Sequence, residues 1–346
     1  MNHSALLPRT LAKLLVATTA IALAGCSGPT GAAGASEDEE GTTTLTIAEP
    51  VHGVGYLPLY AAIDQGFFAD ADLEVEVTTL TGGGHVNATL AGEVFGFIGG
   101  PESGAVANVK GADLVTVANV VNRGNVYFVA PEGEEPAEGE ALAEYFRGKI
   151  IVGGRHGGTP NAILRHILIQ EGLDPDSDVE LIEVEDSSAI PSTMQQGAAD
   201  IAVVAEPQLG LGIQEGLWTE PFLNPLELLG PYAYSSIVIP RATGEQDPEL
   251  VSAFVAALAE GQQLVESDPE YAFELATAEF PTMEPDVLQE TLDRAYEDQL
   301  WEGTCLAPDA VEVALEVARN GEILDDSSVP QTFENAATTQ FTEGVC

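Results

Sequence analysis

Basic residues are scarce in this chain of 346 residues: 11 Lys and Arg stand against 56 Asp and Glu, giving a formal net charge of −45. That balance argues against nucleic acid as a partner, because phosphate recognition needs a basic footprint. Small acidic ligands stay open, since surface charge is screened within about 8 Å at physiological salt. A solvated acidic surface suited to salty surroundings accounts for the charge. Cysteine is also rare. Three are present, Cys26, Cys305 and Cys346, and the last two are too few and too far apart for a zinc site. No stretch reaches the ~18 consecutive apolar residues of a membrane-spanning helix. P-loop, dinucleotide, nucleophile-elbow and HExxH motifs are missing as well.

The first residues have the pattern of a processing signal. Arg9 and Lys13 precede an apolar run from Leu14 to Ala24, within the length of a signal core and too short to span a bilayer. The run ends in Leu23-Ala24-Gly25-Cys26. This resembles the lipobox of bacterial lipoproteins, which implies that residues 1–26 are a signal peptide and that Cys26 is diacylated. A signal followed by a buried structural cysteine is the alternative. Residues 27–43 are rich in Gly, Ala, Ser, Thr and acid and are expected to be a flexible tether. The mature chain is then exported and held on the outer face of the cell membrane by lipid alone. Losing Arg9 and Lys13 takes its charge to −47. In an exported chain, Cys305 and Cys346 are expected to pair, closing a loop of about 40 residues worth ~4 kcal/mol in the chain-entropy model. Two unpaired thiols are the alternative.

About 300 residues remain, comfortable for two lobes. Strand and helix patterns alternate. Strands are read at 45–47, 73–77, 94–98, 114–118 and 126–130, separated by short helices that stop at Gly66, Gly92 and Gly111. A Pro, Gly and Glu loop over 131–140 interrupts, and the unit restarts with strands at 149–152, 179–184 and 201–205 and another at 235–239. After Pro240 the pattern is wholly helical, with Pro248, Pro269, Pro285 and Pro308 where helices would begin. The fold class is therefore α/β and two-lobed: wound sheets flanked by helices, with C-terminal helices. Lobe one is expected over 44–130 plus 236–346, and lobe two over 131–235.

Three ordered segments carry a family likeness. One is Tyr56 to Gly100, with Gly66-Phe67-Phe68, Gly82-Gly83-Gly84 and Leu90-Ala91-Gly92 leading to Phe95. The second runs from Arg147 to Gly172. The third is Gln195 to Asp200, followed by Glu206-Pro207. Together they resemble the nitrate/sulfonate/taurine and thiamine-pyrimidine group of ABC-importer solute-binding proteins. The resemblance spans roughly residues 44–240. It implies the type II periplasmic-binding fold, a small-molecule ligand in the cleft, and partnership with permease and ATPase subunits from outside this chain. A monomer is expected.

Ligands of wound sheets sit beyond the carboxyl ends of the strands. That rule selects the loops 49–56, 81–87, 99–103 and 119–125 in lobe one, and 153–161, 185–190 and 205–208 in lobe two. Gly83, Gly84 and His85, and likewise Gly158 and Thr159, lead into helices whose free N–H groups suit an anionic group; plain turn chemistry and helix capping are the alternatives. Gly100 and Ser103 flank Glu102. The carboxylates of Glu49, Glu102 and Glu206 can receive an amine or aminopyrimidine, or pair with Arg123 or Arg155; solvated loop acids are the plain reading. Asn122 lies beside Arg123. Tyr56 and Tyr232, with Tyr234, can stack on a flat ligand or fill core. His52, His85 and His156 can bind a metal only if the fold gathers them. These candidates define the expected ligand site. No cofactor is expected.

The same family contains an enzyme that makes the thiamine pyrimidine using its own His and pyridoxal phosphate on a Lys. Its run of cysteines near a Phe has no counterpart here. Beyond the signal the only lysines are Lys110 and Lys149, read at a helix end and a strand start. Binding without catalysis is therefore expected; that enzyme and a metal-binding lipoprotein are the other classes considered. Two ligand classes compete: a sulfonate, nitrate or taurine-like anion, or a thiamine-pyrimidine-like heterocycle.

Overall fold

The computed structural model describes residues 34–37 and 42–346. The signal 1–26, Cys26 and most of the tether lie outside the described residues. Ten strands follow in chain order: β1 Ala35–Glu37, β2 Thr43–Glu49, β3 Leu73–Thr79, β4 Gly96–Gly99, β5 Leu114–Val121, β6 Tyr127–Val129, β7 Ile150–Gly154, β8 Glu180–Val184, β9 Ile201–Val204 and β10 Ser235–Pro240. They form two sheets. The first holds β1 to β5 and β10; the second runs β6-β9-β7-β8. β2 pairs in parallel with β3 and β4, and β7 with β8 and β9. β10 enters antiparallel between β4 and β5.

The local sequence explains most of these elements. β4 and β5 are buried along their whole length and are largely apolar, with Thr116 and Asn119 the polar residues of β5, as expected of strands covered on both faces. β3 alternates Leu73 and Val75, buried, with Glu74 and Glu76, exposed, over its first four residues, because only one face meets the core. The four longest C-terminal helices among the described residues begin at Pro248, Pro269, Pro285 and Pro308. Asp247 and Asp268 cap the first two by accepting the Leu250 and Tyr271 N–H groups at 3.0 and 3.1 Å. Cys305 and Cys346 are joined, with 2.01 Å between sulfurs.

Three features differ from the sequence-based expectation. First, the strand expected at 126–130 in lobe one belongs to the other sheet: Tyr127, Phe128 and Val129 oppose Val204, Val203 and Ala202 of β9. The chain therefore crosses between Val121 and Tyr127, not after Ala130. Phe128 is drawn there by an aromatic cluster with Phe146 and Phe222, and apolar pattern alone does not say which sheet a strand joins. Second, part of the expected tether is ordered, since β1 pairs antiparallel with Thr43–Leu45. Backbone hydrogen bonding to an open strand edge does not require apolar side chains. Third, the C-terminal helices assigned to lobe one also brace lobe two. The helix Pro285–Glu297 packs on the helix Gln208–Gln214, and the helix Pro308–Asn320 on both Thr159–Gln170 and Pro101–Val109. Arg165 Nε donates to the Gly321 carbonyl at 2.9 Å, and the Tyr127 hydroxyl to Asp298 at 2.9 Å.

Candidate functional site

The carboxyl ends of β2, β4, β7, β8 and β9 converge on a cavity of ≈ 120 Å³ between the two sheets. Lobe one contributes Tyr56, His85 and Ser103. Lobe two contributes Arg155, Glu185 and Gln208, and Tyr234 and Ser235 enter from the start of β10. The lobes meet at its rim. A β carbon on Gly82 would lie 3.1 Å from the Glu185 carboxylate, and one on Gly83 3.5 Å from Arg155 Cζ. Gly83 also holds a φ of 81°, a conformation that glycine alone adopts freely. Beneath the cavity the Thr159 hydroxyl donates to the buried Glu102 carboxylate, tying the two lobes together.

Charge in the wall is balanced. Among its described residues only Arg155 and Glu185 are formally charged. Burial lowers the Arg155 pKa, with Glu185 opposing. Burial, and then the Arg155 charge, push His85 down to about 4, so its ring is neutral at pH 7. His85 Nδ1 lies 3.3 Å from the Leu80 carbonyl. That contact places the proton on Nδ1 and leaves Nε2 as an acceptor. The Gln208 amide has no hydrogen-bond partner among the described residues although the residue is buried. Burial raises the Tyr56 and Tyr234 phenols, which stay protonated.

Seven of the expected residues line the cavity: Tyr56, His85, Ser103, Arg155, Gly158, Thr159 and Tyr234. The others lie outside its wall. Glu49 is satisfied within lobe one by Tyr60 at 2.5 Å, Thr79 at 2.8 Å and His52 at 3.2 Å. His52 stacks on Tyr60 and also reaches Glu279 at 3.2 Å; its pKa is raised, chiefly by the Glu49 hydrogen bond. Asn122 and Arg123 hold the loop at 302–303: Asn122 donates to the Gly303 carbonyl at 3.2 Å and Arg123 pairs with Glu302. Glu206 accepts the Gly210 N–H at 2.9 Å and faces Arg294 at 3.6 Å. Burial raises its pKa, against the pull of Gly210 and Arg294. Glu102 and Tyr232 are buried behind the wall, and Gly100 is overlain by the Glu102 carboxylate. Gly83 and Gly84 shape the rim and start the helix Gly84–Ala91. His156 is exposed, 3.4 Å from Glu183. The three histidines are thus not gathered, and among the described residues no group of three His, Cys, Asp or Glu is placed to hold a metal.

A family model described as NMT1/THI5 like matches residues 54–272. The chain belongs to this NMT1/THI5-like family. YtlA of Bacillus subtilis (strain 168), named as a binding protein, is 27% identical over 267 residues, covering 75% of this chain and 78% of YtlA. The ligand-binding component of an ABC-type import system from Staphylococcus aureus, solved with zinc bound, superposes with a TM-score of 0.72 at 14% identity, covering 88% of this chain and 99% of that one. The alkanesulfonate-binding protein SsuA from Xanthomonas axonopodis pv. citri, bound to MOPS, gives 0.68 at 16% identity over the same shares. The architecture is the two-lobed type II periplasmic-binding fold of ABC-importer solute-binding proteins.

In this NMT1/THI5-like chain, sequence reasoning passed over Gln208, Glu185 and Ser235 as individuals. Gln208 and Glu185 fall on loops that the strand-end rule selects. Ser235 does not, because β10 runs antiparallel and offers its first residue, not its last, to the cleft.

Proposed function

We propose that this protein is the extracytoplasmic solute-binding component of an ABC importer and that its solute is an uncharged, flat, nitrogen-containing heterocycle of the aminopyrimidine class. The balanced charge of the cavity wall carries this reading. An anion such as a sulfonate or nitrate would add uncompensated negative charge to a site where Glu185 already offsets Arg155. A neutral heterocycle meets matching groups instead. Glu185 receives a ring amine, neutral His85 and the Gln208 amide supply an acceptor and a donor–acceptor pair, and Tyr56 and Tyr234 supply aromatic wall. Capture proceeds by hinge closure of the two lobes, and the closed form presents itself to the permease.

A thermal-shift panel tests the ligand class. Hydroxymethyl-aminopyrimidine at a hundredfold excess over its Kd is expected to raise Tm by about 5 °C, the effect of ~2.7 kcal/mol of linkage on a chain of this size. Taurine, alkanesulfonates and nitrate are expected to leave it unmoved. A larger shift with any of these anions overturns the assignment. We further propose that diacylated Cys26 anchors the chain, supported by the lipobox-like Leu23-Ala24-Gly25-Cys26. Cys26→Ala should then leave the membrane fraction; a variant that stays there would rule the anchor out.

A further inference from the structure

A second feature is set by the few cations of this acidic chain. Beyond the signal, nine Lys and Arg remain among 56 acids. Six arginines sit within ion-pair distance of a carboxylate: Arg123, Arg147, Arg165, Arg241, Arg294 and Arg319. The Lys149 ammonium lies 5.1 Å over the Tyr145 ring. Lys110 and Arg155 alone, among the described residues, have neither kind of partner, although Glu185 acts on Arg155 from beyond ion-pair distance. They come from different lobes, Lys110 from the end of the helix Pro101–Val109 and Arg155 from the end of β7. Both line one outer groove of ≈ 590 Å³. It adjoins the inner cavity, with which it shares Gly82, Ser103 and Arg155.

The rest of the groove fits an anion with an apolar part. His156 adds a third nitrogen donor. The nearby Glu183 is engaged by His156 at 3.4 Å and by Asn161 at 2.8 Å. Val86, Leu90, Val106 and Ile323 form an apolar floor, and Leu90 is left 48% exposed. An anion between Lys110 and Arg155 attracts one cation from each lobe.

We propose that this outer groove binds a soluble phosphate monoester carrying a short alkyl chain, whose nearly two negative charges at pH 7 are held between Lys110 and Arg155, and that its binding favours the closed lobes. By linkage the same anion tightens capture of solute in the inner cavity, and solute tightens the anion by the same factor. The groove shares Arg155 with the inner cavity, but its Lys110 is its own and the site does not depend on the aminopyrimidine assignment.

Melting of the purified full-length protein with hexyl phosphate or inorganic phosphate, at ionic strength fixed with sodium chloride, tests it. Fixed ionic strength matters because salt alone relieves self-repulsion in so acidic a chain. Hexyl phosphate is expected to raise Tm at a concentration at least tenfold below that of inorganic phosphate. Lys110→Gln should raise its half-maximal concentration at least tenfold. Leu90→Asp should weaken the response to hexyl phosphate while sparing that to inorganic phosphate. Equal responses of wild type and Lys110→Gln, or the same shift with sodium chloride alone, would overturn the groove site. Lys110 does not line the inner cavity, so Lys110→Gln should leave aminopyrimidine binding in the absence of anion unchanged. A protein that binds hexyl phosphate through Lys110 but no aminopyrimidine would refute the ligand class and leave the groove standing.

Discussion

Glu102 shows how one buried side chain links stability to the closed cleft. Its carboxyl is pushed up to about 7 by burial, against the pull of the Thr159 hydroxyl. The unfolded chain titrates near the ordinary glutamate value of 4.5, so the folded state binds this proton more tightly. That contribution to stability is whole below 4.5, declines as pH rises from 4.5 to 7, and is gone above 7. Glu102→Gln is neutral throughout. It should therefore exceed wild type in stability at pH 8 by on the order of 3 kcal/mol, with the advantage vanishing near pH 4.5. Urea denaturation of both proteins at the two pH values checks this, and an equal advantage at both would refute it. His85 works in the opposite sense: its contribution is present above 6.5 and is lost as pH falls through about 4. It is common to both proteins and cancels in the difference.

The other acids at strand ends show where residue-level reading stops. Glu49, Glu102 and Glu206 are all buried, as their places beside β2, β4 and β9 suggest. Some partners are local, such as His52 for Glu49 and the Gly210 N–H for Glu206, but the contacts that complete them are not. Glu206 faces Arg294 from 88 positions further on, and Glu49 is joined through His52 to Glu279. A single sequence marks an acid at a turn but does not show which distant helix supplies its counter-charge. Without that, an acid satisfied by the protein and an acid reserved for a ligand look alike.

Among the elements, those defined by local periodicity were legible and those defined by partners were not. β3 declares itself by alternating Leu73, Glu74, Val75 and Glu76, and the C-terminal helices by their opening prolines. β6 declares itself as a strand, yet only pairing with β9 assigns it to the second sheet. β10 is an apolar run like its neighbours, yet its antiparallel entry between β4 and β5 puts Tyr234 and Ser235 into the cleft. Close packing of elements is similarly encoded at single glycines. At Gly261 a β carbon would strike the Pro58 carbonyl and lie 2.8 Å from Ala62 Cβ, so the long helix Pro248–Ser267 can lie directly on Leu57–Asp64 only because that position is glycine.

For the whole molecule, two lobes share one brace. The chain crosses between sheets at 122–126 and again before Ser235, and the helices after Pro285 touch both lobes. The disulfide from Cys305 to Cys346 closes a span of 41 residues around that brace, worth ~4 kcal/mol through restriction of the unfolded chain. Arg155 and Glu185 lie against the Gly82-Gly83 rim, and the cavity between the lobes has no net formal charge among its described residues, inside a strongly acidic envelope. Calorimetric titration of hydroxymethyl-aminopyrimidine into wild type and Gln208→Leu tests most directly whether a neutral heterocycle is captured in that cavity. A single saturable site per chain is expected, weakened at least tenfold (~1.4 kcal/mol) in the variant. Unchanged affinity in Gln208→Leu, or saturation by an alkanesulfonate where the pyrimidine gives no heat, would contradict it.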